Sequence, residues 1–141
     1  MRTTERKIAG WVFCSAIAAL FANTASAAPA ALPWTNDLSG ALKSAQKSHK
    51  LVLVDVYTSH CGWCQRLDQE TFRNPGVIRE IGGKYLFVKV NAEIERAKVK
   101  PYPINGYPTM LLLNGSGKLV GSYSGYMPPE EFVPAVENNF K

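Results

Sequence analysis

A chain of 141 residues is sized for one domain, and 46% hydrophobic content is enough to build a core without disulfide staples. Its formal net charge of +5 comes with no basic stripe carrying interleaved aromatics, so nucleic acid is not an expected partner.

The first residues do not read as part of the domain. Arg2, Arg6 and Lys7 give a basic start, Ile8 to Ala22 form an apolar run, and Ala25-Ser26-Ala27 fits the small-x-small cleavage rule. Residues 1–27 therefore read as a cleaved secretory signal, because a membrane-spanning helix needs about 20 apolar residues. Cleavage would remove Cys14 and leave a mature chain with two cysteines, Cys61 and Cys64. Residues 28–36, rich in Ala and Pro, read as a loose leader to a domain at 37–141.

Within that domain, Asn36 or Asp37 can cap a helix, and Leu38, Ala41, Leu42 and Ala45 repeat at helical spacing. The run "LVLVDVY", Leu51 to Tyr57, is apolar almost throughout, which predicts a central strand covered on both faces. Gly62 to Phe72 has a helical pattern, and Asn74-Pro75 opens a second helix to about Ile81. "YLFVKVN" predicts a strand, "AEIERAKV" a weak helical turn, and the proline-rich "KPYPINGYPT" a loop. "MLLLN" and "KLVGSYS" read as a hairpin joined by "GSG". Pro128 and Pro129 open a last helix whose buried face is Phe132, Val133, Val136 and Phe140, with Pro134 an awkward interior residue. The order predicts an α/β fold, a mixed sheet with helices on both faces.

The pair Cys61-Gly62-Trp63-Cys64 stands at the start of a helix. Such a pair can be a redox couple, half of a metal site or a staple. A metal needs two more ligands, and His49 and His60 are the good nitrogen candidates in the mature chain, with His60 strained by adjoining Cys61. A three-residue spacing closes so small a loop that it restrains the unfolded chain little. The redox reading uses the position best. The helix dipole and free N–H groups stabilise a thiolate at Cys61 by about 0.3–2 kcal/mol, and the thiolate is the nucleophile. Cys61 is then the attacking thiol and Cys64, one turn inside, the resolving one. No metal and no cofactor is expected.

Four segments in order resemble the thioredoxin fold family: "LVDVYTSHCGWC", "VKVN", "INGYPTMLLL" and "GSYSGYMPPEEF". "CGWCQRLDQETFRNPGVI" further resembles its exported, DsbD-like branch, in which the active-site helix breaks at an Asn/Asp-Pro. The resemblance implies a thioredoxin fold over roughly Leu38 to Phe140. It implies that Asp55, otherwise a satisfied core carboxylate, is a buried proton relay to Cys64, tuned by Lys89 from the adjacent strand unless that lysine simply points to solvent. It implies a cis bond before Pro108, with Tyr107 and Pro108 receiving a substrate strand opposite the cysteines. His60 and Trp63 depart from the common Gly-Pro pattern. His60 would favour the Cys61 thiolate when protonated or be a plain exposed loop histidine, and Trp63 would form an apolar docking rim or shield the disulfide.

These readings predict an exported enzyme, periplasmic or secreted: a thiol–disulfide oxidoreductase acting as a reductase of client protein disulfides. It would be a monomer recharged by a membrane electron-transfer partner. A disulfide donor or isomerase is the alternative, because pairs on this fold range over about −270 to −120 mV. A non-catalytic client-binding module is a third reading.

Overall fold

The structure, a computed structural model, describes residues 30–141, and the signal-peptide reading of residues 1–27 lies outside them. The elements are β1 (Trp34–Thr35), α1 (Leu38–Ser48), β2 (Val52–Tyr57) and α2 (Gly62–Arg66). α2 runs directly into a π-helical segment (Leu67–Phe72), followed by α3 (Pro75–Ile81), β3 (Leu86–Asn91) and α4 (Arg96–Val99). β4 (Thr109–Leu113), β5 (Leu119–Ser124) and α5 (Pro129–Glu137) complete the chain.

One five-stranded sheet has the order β1-β3-β2-β4-β5. β3 pairs parallel with both β1 and β2, while β4 pairs antiparallel with β2 and β5. β2 is central, as its apolar run predicts. Alternation along the strand sorts its side chains between two cores. Val52, Val54 and Val56 join Val88, Val90 and Leu111 beneath α1 and α4. Leu53 joins Phe87, Met110 and Leu112 on the opposite face, beneath Leu67, Phe72, Ile78 and Phe132. Fully burying a side chain of this kind contributes about 1.5–3 kcal/mol. By the same alternation Asp55 falls on the second face, in register with Lys89 and Met110. It therefore faces the side that carries the helix of the cysteine pair.

Local chemistry explains the ends of the helices. Asp37 caps α1, its carboxylate accepting from Gly40 N–H at 2.9 Å. Asn74 caps α3 by accepting from Gly76 and Val77 N–H at 2.8 and 3.3 Å, with Pro75 in the first turn where no N–H is needed. α5 runs through Pro134 because that position is exposed. The carbonyl left without its usual donor belongs to Glu130, also exposed, and water can satisfy it.

Two features differ from the sequence reading. The helix expected over Gly62 to Phe72 widens after Arg66, and the wider turn puts Leu67, Thr71 and Phe72 all into the core. The segment 28–36, expected to be a loose leader, is tied down from Leu32 onward: Leu32 is buried, and Trp34 and Thr35 pair with Phe87 and Val88 as β1. Trp34 also packs its ring against Phe72 at 4.8 Å and Phe87 at 5.4 Å. A two-residue strand carries too little periodicity to be seen among alanines and prolines.

Candidate active site

Four residues after β2 turn the chain into α2 and place Cys61 at its N-cap. Extended backbone there (φ −95°, ψ 105°) aims the sulfur back at the first turn, where Sγ accepts from Cys64 N–H at 3.1 Å. Cys61 and Cys64 are joined as a disulfide, with Cα atoms 5.2 Å apart. The two sulfurs are not equivalent: Cys61 is half-buried, while Cys64 is 5% exposed. An incoming thiol or disulfide can therefore reach Cys61 and not Cys64.

On the sheet face that carries this helix lies a buried charge cluster, reached from the helical side by Asp68. Asp55 is 2% exposed in the middle of β2. Its Oδ2 accepts from Lys89 Nζ at 2.8 Å, and its Oδ1 has no hydrogen-bond partner among the described residues. Burial pushes the Asp55 carboxyl above its ordinary value, the Lys89 ammonium pulls against that, and Asp68 adds a smaller upward push. Lys89 Nζ also donates to Asp68 Oδ1 at 2.5 Å. Burial disfavours the Lys89 ammonium, but Asp55 and Asp68 outweigh it and hold the group above the ordinary lysine value. Three rings close around this nitrogen: Trp34 at 4.7 Å, Phe72 at 5.2 Å and Tyr57 at 5.4 Å. The alternative that Lys89 points into solvent is thereby set aside.

A second cluster rims the disulfide. Trp63 is 56% exposed and lies 5.8 Å from the Tyr126 ring. The Arg66 guanidinium sits over both rings, 5.5 Å from Trp63 and 4.9 Å from Tyr126. Glu70 locks this arrangement, accepting from Arg66 Nε at 2.9 Å and from the Tyr126 hydroxyl at 2.6 Å. The hydrogen bonds from Tyr126 and Arg66 hold the Glu70 carboxyl below its ordinary value. Trp63, Tyr107, Gly125 and Tyr126 line one shallow cavity of about 330 Å³. Tyr107 is exposed, Pro108 is buried, and the bond between them is cis. The Pro108 carbonyl accepts from Gly125 N–H at 2.8 Å, which ties the two walls of that cavity together.

His60 is exposed and makes no side-chain hydrogen bond among the described residues. The loop before it is held by Glu93, which accepts from Ser59 N–H at 2.9 Å, and by Asn91, which donates to the Ser59 hydroxyl at 3.0 Å. Among the described residues, no three His, Cys, Asp or Glu side chains gather where they could hold a metal ion.

The fold thus brings Trp63, which lies between the two cysteines, and Tyr107 to one surface cavity, with Pro108 buried behind Tyr107, and pairs Asp55 with Lys89 in the interior. Sequence reasoning missed Asp68, Trp34 and the Arg66–Glu70–Tyr126 lock. Arg66 and Glu70 carry a visible signal, opposite charges four apart on a helix. Tyr126 carries none, since its partner is 56 residues away.

Comparisons with known proteins agree with this geometry. The thioredoxin-like domain profile matches residues 38–139. The thiol:disulfide interchange protein DsbD of Photorhabdus laumondii is 28% identical over 92 residues, covering 62% of this chain and 16% of that protein. This chain therefore spans only about a sixth of that curated relative. The solution structure of a putative disulphide-isomerase from Bacteroides thetaiotaomicron aligns with a TM-score of 0.66 at 29% identity, covering 83% of this chain and 98% of that one. A thioredoxin from Thermus thermophilus aligns with a TM-score of 0.66 at 25% identity, covering 77% and 86%.

Proposed function

Because the chain belongs to the thioredoxin-like domain family, we propose that it is an exported thiol–disulfide oxidoreductase that reduces disulfides in client proteins. The observation that carries this reading is the asymmetry of the pair: Cys61 reachable at a helix N-cap, Cys64 buried behind it. An inert staple has no use for that difference.

The proposed cycle runs in two exchanges. In the dithiol form, the Cys61 thiolate attacks one sulfur of a client disulfide. A Cys61–client bond forms, the client S–S bond breaks, and the first client sulfur leaves as thiolate. Cys64 then gives its proton to Asp55 and attacks Cys61 Sγ. The Cys61–Cys64 bond forms and the second client sulfur leaves, so two electrons have passed to the client. Asp55 suits this step because its burial makes it a stronger base than a surface carboxylate. The Trp63, Tyr107 and Tyr126 rim gives the client an apolar landing beside Cys61, and Tyr107–Pro108 is the segment against which its backbone lies. A membrane electron-transfer partner returns the pair to dithiol.

The equilibrium reduction potential of Cys61–Cys64 against a glutathione or dithiothreitol buffer tests the direction of flow. A value near or below about −230 mV supports the reductase, and one near about −120 to −180 mV replaces it with a disulfide donor or isomerase. The exposed Trp63 between the cysteines, together with relatives named as disulfide isomerases, is what favours that second reading.

A further inference from the structure

Asp55 is buried at 2% exposure, and its one hydrogen bond among the described residues comes from Lys89. A proton delivered to Asp55 by Cys64 must leave before the next cycle. The protein around Asp55 offers little else. Met110 stands opposite on β4 and carries no charge, while Phe72 and Phe132 close the helical side with carbon. The Tyr57 ring lies over Lys89 from β2, and Arg73 reaches only the outer cavity. Lys89 leads outward: its other bond goes to Asp68, whose side chain is 41% exposed. Asp68, Arg73, Lys89 and Trp34 line a cavity of about 190 Å³ at the surface. Asp68 is also four residues after Cys64, where the helix has begun to widen.

We infer that Asp68 is a positioning residue for the resolving step: through Lys89 it gives the Asp55 proton its route to solvent. This rests on the proposed role of Asp55 as base. When Cys64 closes the disulfide, Asp55 is left protonated. Lys89 first passes a proton to Asp68 Oδ1, and its nitrogen, turning the freed lone pair toward Asp55, then takes the proton from that carboxyl. Lys89 ends with the charge it began with, Asp55 is again a carboxylate, and Asp68 releases the proton to water. No oxidant or reductant beyond the dithiol and the client disulfide enters the sequence. The aromatic cage of Trp34, Tyr57 and Phe72 fixes the ammonium between the two carboxylates, so the relay needs no side chain to swing. Asp68 also pushes Asp55 toward holding its proton, which keeps Asp55 a stronger base.

The test uses the purified protein carrying glutathione on Cys61, with ring closure by Cys64 and the later loss of the Asp55 proton, seen in its carboxyl stretch by time-resolved infrared difference spectroscopy, both followed in a single turnover across pH. The Asp55 carboxyl is titrated in parallel by carbon-13 NMR. In Asp68→Asn the Asp55 midpoint and the acid limb of the rate move together to lower pH. The rate at which the Asp55 proton is lost falls by about tenfold, less than for a direct general base because Asp68 acts through Lys89. Asp68→Glu restores both, which a merely structural role would not require. Independently of any variant, the rate of that proton loss in mixtures of light and heavy water should curve with deuterium content, since two protons move in the relay. An Asp68→Asn profile that superimposes on the native one, a midpoint that does not fall, or a linear deuterium response overturns the inference. Asp55→Asn separates the two ideas. If it closes the ring at the native rate, the base reading itself fails. If it is slow while Asp68→Asn is native, only the role of Asp68 fails.

Discussion

Lys89 Nζ lies 2.8 Å from one oxygen of Asp55, while the other oxygen, Oδ1, is buried with no hydrogen-bond partner among the described residues. The carboxylate is therefore half satisfied, which costs stability. Asp55→Asn should stabilise the oxidised protein by about 1–2 kcal/mol near neutral pH, because an amide is cheaper to bury and Lys89 keeps Asp68. The pH dependence follows from the raised folded pKa. Folded protein holds the Asp55 proton where unfolded protein has lost it. That contribution is full below the ordinary value of 3.8 and is lost as pH rises through the higher folded one. Urea unfolding should show this decline in the native protein and a flatter profile in Asp55→Asn. Parallel profiles would mean that Asp55 is not the group responsible.

The cysteines should behave unequally. Cys61→Ser should lower client reduction by at least about a thousandfold, as loss of a nucleophile does. Cys64→Ser should instead accumulate a Cys61–client adduct, visible on a non-reducing gel. An adduct in the Cys61 variant and none in the Cys64 variant would invert the assigned roles.

Trp63→Ala should raise KM for protein disulfides by roughly tenfold, the loss of an aromatic contact worth about 1–2 kcal/mol at an interface. Reduction of the disulfide by dithiothreitol should stay near native, since that small thiol needs no docking rim. Equal losses with both reactants would show that Trp63 acts on the disulfide itself.

Trp34→Ala should destabilise by about 2–3 kcal/mol, below the value for a fully buried ring because Trp34 is only partly covered. The measurement is denaturant unfolding. A change within about 0.5 kcal/mol, the range of ordinary surface substitutions, would return the segment before Asp37 to the status of a leader.

Two glycines should respond in opposite ways. A Cβ at Gly121 would lie 1.9 Å from the Asn139 carbonyl oxygen, and this contact is with backbone. Gly121→Ala should cost about 1–3 kcal/mol, read as a lower Tm. A Cβ at Gly62, between the cysteines, meets nothing within 4 Å. Gly62→Ala should fold as the native chain does.

What the sequence made visible depended on how local the signal was. β2 and β3 announce themselves by apolar runs, and Asp55 is conspicuous as the single acid in such a run. The cysteine spacing and the Asn74-Pro75 cap are likewise complete within a few residues. Asp68 looks like any polar residue on the wet side of a helix. Only the widened turn at Leu67–Phe72 and the reach of Lys89 from another strand give it a partner. Trp34 gains its meaning from Phe72, Phe87 and Lys89, which are 38 to 55 positions away. Such pairings are decided by tertiary packing, and no window on the sequence contains both partners.

The sheet ends in two poor templates for further strand addition. On one side β1 covers β3 for only two residues, and on the other β5 pairs with β4 through a register shift at Leu112/Leu113. Among the described residues, one margin is thus only two residues long and the other is broken by a register shift, both features that make an edge a poorer template for a second chain. A protein proposed to engage disulfides in other chains is thereby less prone to have its own sheet extended by a strand of the chain it meets.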